Sequence, residues 1–410
     1  MNGDNQGNSP GGSITINATS SILIQENGDI VTQAFGDGNA GDIGIYAPKI
    51  NLKNNGDLVS VAVSGSGNAG KISLEGQEIT LSTSPDFEDS TTSGIVSLTL
   101  DKGNANDINI IADDSIILKP GGMANLAIGE GNSGTTTFKA KTIEIFTGGG
   151  NTGTRSTGDG GDINIFADSF YMEDGGFTAS SFGEQGGKAG DINIVAKSIV
   201  IKDNSGFSND TFGNGNAGNI NFTADYIELD DAQIISRTEG VGNAGKINIS
   251  SQILRILNGG QLNTTTKARG NGGIIIVSAN TVELNGEPTR GELANENTGI
   301  ISSVLPDIQN PNALTGNGGS IDLTSSSLVI RDGALIGAST SAGTGNGGDI
   351  TLNVERLDAF NGGQIMNLTR SAGNAGTITL NAGDGIFISG SDALHVPRQL
   401  AYVPGQDASD

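Results

Sequence analysis

A glycine- and asparagine-rich hexapeptide recurs along the chain at nearly constant spacing. The segment GNAGDI ends at Ile43, and close copies end at Ile72, Ile108, Ile192, Ile220, Ile247, Ile321, Ile350 and Ile378. Weaker copies end at Ile14, Thr136, Ile163 and Ile275. Ten of the twelve intervals between these anchor residues are 27 to 29 residues long. A fixed period of this length is typical of a repeat architecture, in which each repeat is one structural unit stacked on the next.

Each repeat carries the pattern of two clear strands. The anchor and the residue two places later are apolar, as in Ile43 and Ile45, and a second apolar pair begins about seven places after the anchor, as in Ile50 and Leu52. Alternation with a period of two predicts strands with one buried face. A small residue recurs four places after the anchor, which indicates a position of limited volume. These residues are Ala18, Ala47, Ala112, Ala140, Ala167, Ala196, Ala224, Ala279 and Ala382.

Turn signals and a third, poorer strand complete the repeat. Pairs such as Asn55-Gly56 tolerate positive φ, so they predict a sharp bend after the second strand. The seven pairs begin at Asn27, Asn55, Asp174, Asn258, Asn285, Asp332 and Asn361. The third strand has an apolar residue and often a hydroxyl or amide two places on, as in Leu58 and Ser60.

Three short strands and three bends in about 28 residues fit one turn of a solenoid. We therefore predict an all-β fold, a right-handed parallel β-helix (solenoid) of about 13 rungs, with residues 1–390 as a single repeat domain. A β-sandwich also contains many short strands, but its hairpins do not require the same three-part unit in every repeat. Separate small domains are excluded because about 28 residues cannot bury a core alone.

Two intervals are longer, at 36 and 46 residues, and their excess falls in loops. The first insertion is Ser84–Ser93, and the second lies within 287–314, mostly in Glu287–Thr298. Both follow the second strand of a repeat, so we expect them on one edge. Insertions on one face of a repeat protein often bind ligands, whereas neutral tolerance of surface loops is the alternative. Residues 391–410 are predicted to form a C-terminal tail or cap.

Composition excludes several kinds of function. The 21 basic and 45 acidic side chains give a net charge of −24, which repels nucleic-acid phosphates. The absence of Cys excludes disulfides and thiolate chemistry, and His395 is the only His, so a His-based metal site is not expected. No apolar run is long enough to span a membrane, and the first ten residues do not form a signal segment.

Two acidic pairs are the candidates for catalysis. Asp113-Asp114 and Asp230-Asp231 suggest glycoside cleavage, which uses two carboxyl groups held across the substrate. Each pair falls at a turn of the repeat where other repeats carry polar residues, so a solvated turn is the preferred interpretation. With no Trp and four Tyr, the chain offers few rings on which a sugar can stack. We assign no catalytic, cofactor-binding or metal-binding residue.

Two further polar rows run through the anchor loops. An Asp directly precedes five of the anchors, which predicts a row of stacked carboxylates. Such a row leaves weak Ca²⁺ binding open as an alternative. The repeat length of about 28 residues does not match a nonapeptide calcium-binding repeat. The members of this acidic row are Asp42, Asp107, Asp162, Asp191 and Asp349. An Asn occupies another loop position, and we predict a structural ladder whose amides satisfy the backbone of the bend. Its members are Asn39, Asn68, Asn104, Asn132, Asn216, Asn243, Asn271, Asn317, Asn346 and Asn374.

The repeat resembles those of filamentous-haemagglutinin-like large exoproteins of the two-partner secretion pathway, particularly the Gly/Asn-rich cyanobacterial members. The resemblance rests on GNAGDI-x-I-x-A, then I-x-L, then Asn-Gly or Asp-Gly, and covers nearly the whole chain from Gly7 to about Gly390. It implies a β-helix adhesin that passes through an outer-membrane transporter and is then extracellular, at the cell surface and associated with the outer membrane. The family's signal peptide and secretion domain are not recognisable in this chain. The lack of Cys fits export through a pore.

The sequence therefore predicts a secreted or surface-displayed structural or adhesive segment without enzymatic activity. Its expected partners are glycans or proteins of cell surfaces or the matrix, with no nucleic acid. A polysaccharide lyase or hydrolase on the same fold is the main alternative. A face that binds ice or a mineral is a third, although no regular Thr-x-Thr row runs through all repeats.

Overall fold

The computed structural model describes residues 2–5, 8–83, 94–267, 269–286, 298–305, 316–341, 344–370 and 372–390. In these residues the regular secondary structure is all β-strand. The chain divides into two compact units, Met1–Gly218 and Asn219–Asp410. The tail at 391–410, the insertion at 84–93 and residues 287–297 and 306–314 of the second insertion lie outside the described residues. The single-domain boundary at residue 390 remains a prediction.

The first unit contains strands β1 to β17. They are β1 (Asn2–Asn5), β2 (Ile14–Asn17), β3 (Ser21–Gln25), β4 (Asp29–Phe35), β5 (Ile43–Tyr46), β6 (Lys49–Lys53), β7 (Asp57–Ser64), β8 (Ile72–Ser82), β9 (Gly94–Thr99), β10 (Ile108–Lys119), β11 (Gly121–Ala127), β12 (Thr136–Lys139), β13 (Thr142–Thr154), β14 (Ile163–Phe166), β15 (Ser169–Ser181), β16 (Ile192–Val195) and β17 (Ser198–Thr211).

The second unit contains strands β18 to β27. They are β18 (Ile220–Thr238), β19 (Lys246–Leu257), β20 (Gln261–Lys267), β21 (Ile274–Asn285), β22 (Gly299–Leu305), β23 (Ile321–Arg331), β24 (Leu335–Thr340), β25 (Ile350–Phe360), β26 (Gln364–Thr369) and β27 (Ile378–Ser389).

Strands pair in parallel with the strand one repeat away, so each unit is a parallel β-solenoid. Ile14 lies beside Ile43, and Ile247 lies beside Ile275. The described residues form about 12 turns, close to the predicted 13. The parallel β-helix is therefore confirmed, while its right hand stays a prediction.

The anchor residues on either side of both long intervals remain paired with each other. Ile72 pairs with Ile108 across the 36-residue interval, and Ile275 pairs with Ile321 across the 46-residue interval. The strands on either side of each interval therefore keep their register in the stack.

The strand bounds differ from the predicted three short strands. In β8, β10, β18, β19, β21, β23, β25 and β27 the first and second strands form one continuous strand. In β13, β15 and β17 the second and third strands are continuous. In β18 all three strands are continuous. The strands run through these bends with local register shifts, as between Ala112 and Ser115, so a polar or small residue between two apolar pairs did not mark a strand end.

The core is a narrow column of apolar side chains. Anchor residues such as Ile43 and Ile72 are fully buried, as are the second-strand residues Ile50 and Leu52. Because equivalent residues stack in register, each covers the upper and lower faces of its neighbours. In the first unit the rings of Phe177 and Phe207 stack at 5.4 Å, which fills the column with aromatic carbon.

Positive φ angles mark the predicted bends. Six of the seven Asn-Gly and Asp-Gly pairs have their first residue in the left-handed region, including Asn55 at 59° and Asn258 at 49°. Asn and Asp tolerate this conformation better than other non-glycine residues. Asn285 is the exception, and it ends β21 just before the second insertion.

The hydroxyls of the third strand are buried and bind the glycine loop. Ser60 Oγ accepts a hydrogen bond from the Gly70 amide at 2.7 Å, and Ser236 Oγ accepts one from Gly245 at 2.9 Å. A buried backbone amide needs such a partner. The glycine itself is required because a Cβ at Gly70 would overlap the backbone of the preceding turn. This explains the recurrent pairing of a loop glycine with a strand hydroxyl.

Candidate functional site

The first acidic pair, Asp113-Asp114, lies in the bend of β10, and Asp114 forms an ion pair with a lysine of the next turn. Lys141 Nζ contacts Asp114 Oδ1 at 2.6 Å, and both side chains are more than half exposed. The hydrogen bond to Asp114 raises the pKa of Lys141 above its ordinary value. The same surface carries a second pair, Lys197 with Asp168 at 2.9 Å. Asp113-Asp114 therefore belongs to a solvated row of alternating charges.

The second acidic pair lies at a different corner of the repeat. Asp230 Oδ1 accepts a hydrogen bond from Asn258 Nδ2 at 2.7 Å, and Asp231 has a positive φ of 53°. Both residues thus serve the sharp bend that follows the second strand. Both pairs thus lie at bends of the repeat, where the sequence pattern placed them.

The acidic row acts as a second ladder in the anchor loops. Asp42 Oδ1 accepts a hydrogen bond from the Lys71 amide of the next turn at 2.8 Å, and Asp349 Oδ1 does the same for Thr377 at 2.7 Å. These carboxylates bind backbone amides. Across the described ranges, no group of three or more His, Cys, Asp or Glu side chains is arranged to hold a metal ion.

The asparagine ladder is confirmed, and it has a member that the sequence reading missed. Asn68 Oδ1 accepts a hydrogen bond from the Asn104 amide at 2.7 Å, and Asn271 Oδ1 accepts one from Asn317 at 2.9 Å. In the first unit the ladder passes through Asp159, whose Oδ1 accepts from the Lys188 amide at 3.0 Å. A carboxylate oxygen accepts the backbone hydrogen bond as an amide oxygen does. The ladder therefore requires a side-chain oxygen acceptor at this position and does not require the NH₂ group of Asn.

A long open groove runs across five turns of the second unit. It has a volume of about 970 Å³ and follows the bend between the first and second strands of β19, β21, β23, β25 and β27. The residues four places after each anchor form its floor. They are Ser251, Ala279, Ser325, Val354 and Ala382. The small residues noticed in the sequence therefore leave room for a concave surface.

The two walls of the groove carry hydroxyls and amides in register. Ser250, Ser278 and Thr324 follow one another on one wall, and Asn353 and Asn381 continue it. The other wall contains Gln252, Asn280, Ser326, Glu355 and Gly383. Apart from Glu355, these residues are uncharged.

Two amide pairs hold the walls in fixed orientations. Asn280 Nδ2 donates a hydrogen bond to Gln252 Oε1 at 2.6 Å on one wall. Asn381 Nδ2 donates to Asn353 Oδ1 at 2.8 Å on the other wall. Each primary amide carries two donor hydrogens and an acceptor oxygen, so each pair retains hydrogen-bonding capacity toward the groove.

Two hydroxyls in the floor have no hydrogen-bond partner within the described residues. They belong to Ser251 and Ser325, and Ser325 is only 6% exposed. A buried hydroxyl without a partner is unfavourable, because it has lost its hydrogen bonds to bulk water. Both oxygen atoms are covered in the structure, so a ligand forms a hydrogen bond to either one after rotation of the serine side chain about χ1.

A neighbouring charged cluster is internally neutralised. Arg255 contacts Glu228 at 3.0 Å and Glu283 at 2.9 Å, and Arg331 contacts Glu283 at 3.0 Å. Partial burial of Glu283 favours its neutral form, but the hydrogen bonds from Arg255 and Arg331 outweigh burial and lower its pKa below the usual value. The arginines beside the groove are therefore engaged with carboxylates.

The corresponding bend of the first unit has a different surface. Its smaller cavity, of about 370 Å³, is lined by Tyr46, Glu75, Ile111 and Asp113 among others. Three places after the anchor, the first unit has a mixture of aromatic, aliphatic and charged side chains, where the second has hydroxyls and amides. The first-unit residues include Tyr46, Glu75, Ile111, Lys139, Phe166 and Val195. The sequence analysis did not predict the groove, because it compared only the apolar and small positions of the repeats, which are the buried ones. A comparison of exposed positions between repeats contains the signal.

The described part of the chain contains no helix long and apolar enough to cross a membrane. Comparisons with protein families, with curated proteins and with solved structures gave no match.

Proposed function

We propose that this chain is a non-enzymatic adhesive segment, displayed outside the cell as part of a filamentous-haemagglutinin-like exoprotein, and that it binds glycans. The solenoid fold supports this proposal, because a stack of equivalent turns offers one polar surface repeated along its length. The resemblance of the repeats and the lack of Cys support the route of export.

The groove of the second unit is the observation that carries the proposal. Ten of the 16 residues that line it carry a hydroxyl or an amide, and the acidic pairs considered for catalysis are not part of that lining. Glu355 is the only carboxylate of the lining, whereas glycoside hydrolysis ordinarily uses two. This surface suits binding better than cleavage.

Incubation of the purified chain with a panel of neutral and acidic polysaccharides tests the proposal. Binding is measured by co-sedimentation, and cleavage is measured by the appearance of new reducing ends or unsaturated products, with and without Ca²⁺. We expect binding to at least one polysaccharide and no cleavage. Cleavage that is lost in Glu355→Gln, Asp114→Asn or Asp230→Asn would overturn the proposal in favour of a lyase or hydrolase, and the absence of all binding would also contradict it.

A further inference from the structure

We infer that the groove of the second unit binds an extended, neutral polysaccharide whose chain runs along the stack of turns. This inference rests on the proposed glycan-binding function and names both the site and the ligand class. The groove residues that make the contacts are Ser325 in the floor and two amide pairs, Gln252 with Asn280 and Asn353 with Asn381.

The dimensions of the groove fit a linear polymer. Equivalent residues of the five turns lie beside one another in parallel register, from Ser250 through Asn353 to Asn381. At the spacing of neighbouring strands, four steps between five turns span about 19 Å. The groove is open to solvent over these five turns. A few consecutive sugar rings occupy this length.

The positions of the polar groups favour a polyhydroxylated ligand. The amide pairs stand at opposite ends of the groove and on opposite walls, and Ser325 lies between them in the floor. Each sugar hydroxyl both donates and accepts hydrogen bonds, so it can complete an amide pair or the Ser325 hydroxyl equally well. Because the amide pairs are already oriented by their own hydrogen bonds, little side-chain entropy is lost on binding.

The charges favour a neutral polymer over an acidic one. The lining contains no Lys or Arg, and its one charged residue is Glu355. The nearest arginines have carboxylate partners of their own: Arg255 and Arg331 bind Glu283, and Arg356 binds Asp358 at 2.7 Å. A uronate or sulfated chain would meet a carboxylate and no free cation, within a protein of net charge −24.

The lining also favours a glycan over a peptide. Its apolar members are Ala279, Val354, Leu380 and Ala382, and Leu380 alone among them is both large and partly exposed. Peptides that bind as extended chains use an open strand edge or pockets for apolar side chains. In this groove the strands are paired on both sides through β21, β23 and β25, and the polar atoms come from side chains.

Titration of the full chain with linear hexasaccharides tests the inference. Isothermal titration calorimetry compares β-1,4-linked hexamers of glucose and of N-acetylglucosamine with hexagalacturonate, and a series of neutral chains from two to six residues tests the length. We expect a neutral hexamer to bind, hexagalacturonate to bind at least tenfold more weakly, and affinity to stop increasing once the chain spans the groove. Equal or tighter binding of hexagalacturonate would overturn the inference.

Variants locate the site. Ser325→Ala and the double variant Gln252→Ala/Asn280→Ala should each weaken binding by about tenfold, since each removes hydrogen bonds to the ligand. Ala279→Leu should abolish binding because its side chain fills the floor. Ser327→Ala is the matched control, since it makes the same change in the same strand outside the groove, and it should bind like the wild type. Thermal unfolding of each variant verifies that the fold is retained.

The outcomes separate this inference from the proposed function. If the chain binds polysaccharides but the groove variants bind like Ser327→Ala, the inference is wrong and the adhesive function stands with another site. If the chain binds no neutral hexamer and no polysaccharide of the panel, both fail. If binding is lost in the folded groove variants alone, both are supported.

Discussion

At the scale of single residues, much of the polar sequence serves the turns of the solenoid. The side-chain oxygens of Asn68 and Asn271 accept hydrogen bonds from backbone amides of the next turn, so we assign these residues a structural role. Asp42 does the same for Lys71. The acidic row that first suggested calcium binding is accounted for by the same requirement, namely that backbone amides at a bend need acceptors. The acidic pairs that suggested catalysis have side-chain partners instead, since Asp114 contacts Lys141 and Asp230 accepts from Asn258.

Substitution in the ladder tests this assignment. Asn271→Ala removes the acceptor of the Asn317 amide and should lower the free energy of unfolding by about 1 kcal/mol. Asn271→Asp is the matched control, because Asp159 already supplies a carboxylate oxygen at this position in another turn. Denaturant unfolding measures both. A loss in Asn271→Asp as large as in Asn271→Ala would show that the acceptor oxygen is not what matters.

At the scale of strands, the outward faces of the second unit combine two kinds of surface. The bend of β19, β21 and β23 contributes to the uncharged groove. The following part of the same strands carries Arg255, Glu283 and Arg331 in one hydrogen-bonded network. Because such a network is partly shielded from solvent, it contributes more to stability than an isolated surface ion pair.

The stability of this network should depend on pH. Since the pKa of Glu283 is lowered in the folded chain, its contribution is present above the unfolded value of 4.5 and is lost as the pH falls through the folded value. Glu283→Gln should therefore be less stable than the wild type by about 1 kcal/mol at pH 7, with a smaller difference below pH 4.

A surface ion pair provides the control for that measurement. Glu78 pairs with Lys49 at 2.9 Å, but both side chains are about half exposed. Glu78→Gln should change stability by less than about 0.5 kcal/mol at either pH. Denaturant unfolding measures both variants. If Glu283→Gln and Glu78→Gln change the free energy of unfolding by the same amount across this pH range, the network stabilises the fold no more than an exposed ion pair does.

The register of the strands predicts that the first insertion is dispensable for folding. Ile72 and Ile108 pair as if no extra residues lay between them. Replacement of 84–93 by two residues, Asn-Gly, should therefore leave the circular dichroism spectrum unchanged and shift the melting temperature by only a few degrees, since loop length affects stability weakly. Loss of the β-sheet signal would show that residues of 84–93 are required by the stacked turns.

At the scale of the whole molecule, the sequence specifies the fold more completely than the function. The spacing of anchors such as Ile43 and Ile72 predicts the parallel solenoid and its register, because a parallel stack places equivalent residues side by side. Strand bounds were less predictable, since a continuous strand and two short ones share the same alternation. The groove was not predicted, because it depends on how exposed residues such as Gln252 and Asn280 meet across turns.

The net charge of −24 is distributed over many turns of the chain. Acidic side chains occur in turn after turn, as with Asp42 and Asp107 in the first unit and Asp349 in the second. A charge distributed in this way favours solubility and opposes lateral association. It also disfavours acidic ligands, which agrees with the neutral polysaccharide inferred for the groove.

The central claim is that a neutral glycan chain lies in the groove of the second unit. A crystal structure of the chain with a neutral linear hexasaccharide that binds in solution tests it most directly. We expect sugar density along the floor from Ser251 to Ala382, with a hydroxyl of the ligand within hydrogen-bond distance of Ser325 Oγ. Density for the ligand on another face, with the groove filled only by water, would contradict it.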